Sequence, residues 1–409
     1  MRIITTQDEL ARFCSECASQ PWITVDTEFL RERTYYAQLC LVQIAMPGED
    51  DASAAIIDPL AGELDLEPLL ALMRNPGVTK VFHAARQDLE IFYQLDGHLP
   101  APVFDTQIAA MVCGLGDQAG YETLVRRVAK AELDKSARFT DWSRRPLSEK
   151  QLRYALADVT HLRVIYRKLD AQLERTGRTA WVAEEMARLT DEAAYRVEPE
   201  EAWRRLRTRS HAPKFLAVVR ALAAWRERTA QARDVPRNRI LKDDALLEIA
   251  SNRPTSIEEL SRSRLLMREG RKRETMEAIL AAVQEGLSCP PDQMPRLPAP
   301  DRSRHKDPAL GDLLRVLLKA KAEASGVAPR LIASAADLEM IAAGQHEGVP
   351  ALSGWRREVF GADAERLCAG EIALTASRRG VELVELEDGR PVAAPKATAG
   401  AGGQVRKPA

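Results

Sequence analysis

The chain has 409 residues, 45% of them hydrophobic and 29% charged, with a net charge of −1, a composition that excludes a disordered or fibrous protein and suits a globular chain with two to four cores. Its first residues, MRIITTQDELARF, include acids and no long apolar core, and no stretch reaches the roughly 18 apolar residues of a membrane span, so neither a secretory signal nor a membrane protein is expected. Six cysteines, from Cys14 to Cys368, are too sparse for a disulfide framework, and the expected setting is the cytoplasm with reduced thiols.

In chain order, Cys14 and Cys17 form a C-x-x-C pair in a predicted N-terminal helix. No second pair or nearby histidine completes a zinc site, so ordinary thiols are the better reading. From residue 21 to about 130 strands and helices alternate. WITVDTEFL, QLCLVQIAM, AAIIDPL, VTKVFHA and PVFDT read as strands, and LEPLLALMR, ARQDLEIFYQL and TQIAAMVCGL carry helical periodicity. The pattern predicts a mixed α/β domain on a central sheet. Asp105 directly precedes a helical run and reads as its N-cap. A long helix is predicted from Ser148, with Gln151 completing a capping box.

Past Gly177 the chain reads as helical. Residues 220–250 are echoed by residues 315–342, with Pro236-Arg237 set on Pro329-Arg330, which predicts two copies of a small helical domain. The resulting division is 1–195, 208–288, a proline-rich linker over 289–308, a second all-α helical copy over 309–385 and a disordered tail over 386–409. Residues 201–288 hold 19 Lys+Arg against 12 Asp+Glu, a basic segment beside an acidic remainder. That split suggests a nucleic-acid grip next to a carboxylate-rich site, although an arginine-rich solvated helix surface would look the same.

The acids stand out by their setting. Asp26 and Glu28 alternate along a β-rich run, so both lie on one face of the strand. Asp88 shares the apolar stripe of its helix with Ile91, Phe92 and Leu95, just after a strand ending at His83. Tyr154 and Asp158 are four residues apart, one turn along the same helix face. Each has a plain alternative: an edge strand facing water, a solvated stripe margin, or a packed tyrosine. Together they are the acids a two-metal phosphoryl-transfer site needs.

VDTEF, FHAARQDLEIF and YALADV, with DWSRRPLSEKQLRYALADV around the last, resemble the three motifs of the DEDD exonuclease superfamily in its tyrosine-containing branch. In order and spacing they are similar to the ribonuclease D family over about residues 3–195. Residues 208–288 resemble the helicase-and-RNase-D C-terminal (HRDC) domain, and the second copy resembles it more faintly. The resemblance implies a ribonuclease-H-like α/β exonuclease domain followed by two small all-α HRDC-like domains. It implies Asp26, Glu28, Asp88 and Asp158 as ligands of two divalent cations, with Tyr154 as a fifth catalytic residue. It also implies 3′-to-5′ hydrolysis of RNA 3′ ends, in tRNA precursors or other structured RNA, releasing nucleoside 5′-monophosphates. Oxygen-only ligands suit Mg²⁺ or Mn²⁺.

Weaker candidates for substrate contact are His83, Lys135, Phe139, Trp142 and Arg144, the last four because cations interleaved with aromatics suit phosphates and bases. No obligate protein partner is evident. The rival readings are a 3′-to-5′ DNA exonuclease, since the acids read a phosphodiester and not a sugar, and a non-catalytic RNA-binding scaffold.

Overall fold

Alternating apolar side chains in WITVDTEFL and the nearly continuous apolar run in QLCLVQIA place these two segments side by side in the interior of a sheet. The computed structural model describes residues 1–391 apart from 135–136, 138–139, 209, 267–268, 298–306, 379 and 388–389. Strands β1 (Arg2–Ile4), β2 (Trp22–Leu30), β3 (Gln38–Ala45), β4 (Ala54–Ile57), β5 (Thr79–Phe82) and β6 (Val103–Asp105) form a mixed sheet in the order β1-β4-β3-β2-β5-β6. β2 is central, antiparallel to β3 and parallel to β5. The short strand β1, at one edge, has no counterpart among the predicted elements.

Helices α1 (Gln7–Ala18), α2 (Glu67–Arg74), α3 (Arg86–Asp96), α4 (Thr106–Val112), α5 (Tyr121–Leu124), α6 (Glu149–Thr176) and α7 (Thr179–Leu189) surround this sheet. Cys14 and Cys17 are buried on α1, where burial pushes the Cys14 thiol up to about 12; they pack as small apolar groups. Asp105 caps α4 through the Gln107 and Ile108 N–H groups, and the predicted capping box of Ser148 and Gln151 opens α6. Helix α6 lies on the β2–β3–β4 face. Ala155, Leu156 and Val159 bury there against Cys40, Leu41, Ala45 and Ile56, and the Thr24 hydroxyl donates to the Val159 carbonyl at 2.9 Å.

The basic segment is helical: α8 (Pro213–Arg233), α9 (Arg237–Ile240), α10 (Asp243–Asn252), α11 (Ile257–Ser261) and α12 (Arg273–Leu287). Its core gathers Trp203, Leu216, Leu222, Leu246, Ile279 and Val283. Helices α8 and α12 meet at Gly286, where an added Cβ would lie 2.5 Å from the Val218 Cα. Only glycine permits that approach.

This helical domain and the sheet domain belong to one compact unit, 1–113 with 118–301. The loop after β2 is pinned to α8. Tyr35 donates its hydroxyl to the fully buried Glu227 at 2.5 Å, and the Tyr35 and Tyr36 N–H groups both donate to Asp234 at 3.0 Å.

The other unit, 114–117 with 302–409, holds α13 (Pro308–Ser325), α14 (Pro329–Ile332), α15 (Ala335–Ala342), α16 (Gly354–Arg356) and α17 (Ala362–Cys368). The aligned Pro236-Arg237 and Pro329-Arg330 pairs each sit at the start of a four-residue helix between two longer ones, so the internal repeat reproduces its element order. The segment is not all-α, however. β7 (Ile372–Ser377), β8 (Gly380–Glu387) and β9 (Arg390–Pro391) form an antiparallel sheet that also takes in the first residues assigned to a disordered tail. The β-branched residues Ile372, Thr375, Val381 and Val384 on either side of Gly380 are the β signal that a helical reading passed over. Asp307 caps α13 instead of ending an extended linker. The rest of the predicted tail, 392–409, and most of the predicted linker lie outside the described residues.

Candidate active site

β5 is registered only against Trp22–Thr24, so the second half of β2 runs on past the end of this neighbour. Asp26 and Glu28 lie in that half, on the face covered by α6, and β3 bears Gln43 opposite Asp26. From α6 comes Asp158. One oxygen from each of Asp26, Glu28 and Asp158 can be chosen so that all three lie within 4.8 Å of one another. The first turn of α3 delivers Asp88 beside them, where it is buried and accepts a hydrogen bond from the Thr27 hydroxyl at 2.5 Å. The structure thus gathers three of the four predicted acids in one group and sets Asp88 adjacent, tied to the strand.

These acids disturb one another. Burial, then the charges of Asp158, Asp88 and Glu28, holds the Asp26 carboxyl well above its usual range. Glu28 is pushed up to about 9 by burial and by Asp158 and Asp88. Asp88 rises to about 7 through burial, with the Thr27 hydrogen bond opposing. Carboxylates that repel this strongly in a dry setting need a cation. A donor set made only of carboxylate oxygens within such reach fits a hard divalent ion.

Tyr154, one turn before Asp158, hydrogen-bonds that acid; burial and the charges of Asp158, Glu28 and Asp26 raise its hydroxyl above the ordinary tyrosine value, so it stays protonated at neutral pH. Its ring faces the Trp142 ring at 6.1 Å, and Trp142 is only 3% exposed. Trp142 is therefore a wall for Tyr154 and cannot stack a substrate base, contrary to the expectation from sequence. Arg145 fixes that wall. Its guanidinium grips both oxygens of the buried Asp58, at 2.6 and 2.7 Å, and donates to the Trp142 and Cys40 carbonyls. Arg144 is 84% exposed and pairs with Asp141; it does not line the cavity. Lys135 and Phe139 lie outside the described residues.

The acids open into a cavity of about 610 Å³ lined also by Tyr154, His83, Tyr121, Phe29 and Gln87. The Thr106 hydroxyl donates to the Phe82 carbonyl, so its oxygen accepts from His83 Nδ1 at 3.0 Å. This leaves Nε2 as the acceptor, and burial pushes His83 down to about 4, so the ring is neutral. Tyr121, anchored through its hydroxyl to the Ala157 carbonyl at 2.9 Å and 5.4 Å from the His83 ring, was not legible in sequence. Nothing in GYETL separates it from a packing tyrosine. Thr27 sat within the first motif, but its role depends on α3 reaching the strand.

Residues 1–174 match a family model described as 3′-5′ exonuclease, and residues 215–283 match the HRDC domain. Fold and site together define a 3′-5′ exonuclease with an appended HRDC domain. A ribonuclease D from Jannaschia sp. is 61% identical over 94% of this chain and 99% of its own length. One from Granulibacter bethesdensis is 48% identical over 93% of this chain and 96% of its own. The crystal structure of Escherichia coli RNase D, described as an exoribonuclease involved in structured RNA processing, is similar with a TM-score of 0.77 at 34% identity, covering 90% of this chain and 98% of that one. The chain belongs to the ribonuclease D family and is a 3′-to-5′ exoribonuclease.

Proposed function

We propose that Asp26, Glu28, Asp88 and Asp158 hold two divalent cations, Mg²⁺ or Mn²⁺, and that the enzyme trims 3′ ends of tRNA precursors or other structured RNA in the cytoplasm, releasing nucleoside 5′-monophosphates. The observation that carries the reading is the approach of three carboxylates to within 4.8 Å beside a protonated tyrosine. Divalent cations bound there supply Lewis-acid chemistry, lowering the pKa of the attacking water and stabilising charge on the leaving 3′ oxygen.

The chain's own groups do the rest. Tyr154, hydrogen-bonded to Asp158 and backed by Trp142, holds the attacking water in line through its neutral hydroxyl. His83 lines the same cavity as a neutral ring, fixed through Nδ1 by the Thr106 hydroxyl, and forms part of the wall against which the terminal nucleotide rests. The Thr27 hydrogen bond keeps Asp88 oriented toward the group of acids. The test is release of mononucleotides from a 3′-labelled RNA with Mg²⁺ or Mn²⁺. Full loss with EDTA, and a loss of about 10³-fold or more in Asp158→Asn, are the expected results; near-normal release by Asp158→Asn refutes the assignment.

A further inference from the structure

A second cavity, of about 660 Å³, is lined from the same two elements as the active-site cavity. On β2 and the residue after it, Phe29 lines the first and Arg31 the second. On α3, Gln87 lines the first and its neighbour Arg86 the second. The two cavities are thus lined from neighbouring positions of the same strand and the same helix, which puts Arg31 and Arg86 next in line from the residues around the acids.

The second cavity has the chemistry of a nucleotide site. Arg31, Arg86, Arg196, Arg205 and Arg237 line it, against Glu90 on the wall and Glu227 behind it. Arg205 and Arg237 approach Glu227 at 3.9 and 3.7 Å, Arg31 pairs with Glu90 and Arg196 lies 3.8 Å from Glu198, so five arginines face three acids and two positive charges remain in excess. Four tyrosines share the wall. Tyr35 and Tyr36 meet edge to face at 4.9 Å with Tyr36 39% exposed, and Arg86 lies 4.9 Å over the Tyr195 ring. Guanidinium groups among exposed aromatic faces hold phosphates and stack bases with little regard to sequence.

These walls are built firmly. Tyr35 and Tyr36 are pinned to α8 by Glu227 and Asp234, and Gln231 donates to the Tyr35 hydroxyl at 3.3 Å. The aromatic face is therefore set by the first helical domain before any ligand arrives.

We propose that this cavity holds a nucleotide of single-stranded RNA two or more positions to the 5′ side of the scissile bond, beyond the reach of a dinucleotide, its phosphates on the arginines and its base against Tyr36. The proposal rests on the acids being the hydrolytic centre. It gives the enzyme a grip on the strand that a dinucleotide cannot use.

The test compares a dinucleotide with an unstructured RNA of about 12 nucleotides, in the full chain with all acids intact. In the triple variant Arg31→Gln, Arg86→Gln and Arg196→Gln, dinucleotide turnover should stay at the wild-type rate. The KM for the longer RNA should rise on the order of ten-fold, and the slope of log affinity against log salt should become shallower by about 2, at about 0.7 per lost phosphate contact. Tyr36→Ala alone should raise that KM about five-fold or more through lost stacking.

An equal loss on both substrates, or an unchanged KM and salt slope for the longer RNA, overturns the proposal. So does tight competition by 5′-AMP that disappears in the triple variant, which would make the cavity a site for free nucleotides. Failure of the hydrolytic reading shows up separately, as metal-independent turnover of the dinucleotide by the wild-type chain.

Discussion

Stripping divalent ions with EDTA should make the sheet domain progressively less stable as pH rises from about 5 to about 9. In the folded, metal-free state Glu28 holds its proton up to about 9 and Asp88 up to about 7, against ordinary values of 4.5 and 3.8. Between those limits the folded state binds more protons than the unfolded chain. The contribution of these acids to stability is therefore fully present at low pH and is lost as pH climbs through the folded-state values. At about 1.4 kcal/mol per pH unit, the rise from 4.5 to about 9 at Glu28 corresponds to about 6 kcal/mol.

Water entry and relaxation reduce that figure. Even a third of it, about 2 kcal/mol, moves a melting midpoint by about 4–8 °C in a domain of this size. Scanning calorimetry in EDTA at closely spaced pH values, repeated with saturating Mg²⁺, measures the effect. The Mg²⁺ series should lie higher and flatter, because the ion binds only the folded acids. Asp26→Asn in EDTA should melt above the wild type at pH 8, since one repelling charge is gone. A metal-free midpoint that is flat or rises from pH 5 to 9 refutes the electrostatic account of the site.

Tyr154→Phe keeps the ring against Trp142 and removes the hydroxyl, so single-turnover rates should fall about 10²- to 10⁴-fold while calorimetric Mn²⁺ binding persists; an unchanged rate makes the tyrosine a packing residue. Gly286→Ala places a Cβ against the Val218 backbone and should destabilise the first helical domain by about 1–3 kcal/mol, read as an earlier loss of helical circular dichroism in urea.

The candidate site was legible where local periodicity carried it. Alternation along VDTEF put Asp26 and Glu28 on one face, and the four-residue spacing of Tyr154 and Asp158 put both on one turn, because strand and helix periods are properties of the backbone alone. Asp88 was recognised as an acid among apolar neighbours, but its bond to Thr27 needs β2 to outrun β5, a matter of register between distant segments. Trp142 was misread for a similar reason: a tryptophan among arginines has the same sequence whether it faces RNA or a tyrosine, and packing against α6 decides. The β7–β8 hairpin was signalled by β-branched residues on either side of Gly380 but hidden by the helical run before it.

The hydrogen bond from Tyr35 to Glu227 makes the two matched family segments share one solid. Cutting the chain ahead of Pro213 keeps every acid of the candidate active site, yet it removes the buried acceptor of the Tyr35 hydroxyl and the carboxylate that holds two successive N–H groups of the loop after β2. What recombination could exchange as a cassette, folding treats as a keystone: the loop leaving the strand of Asp26 and Glu28 takes its shape from a helix almost two hundred residues further along the chain.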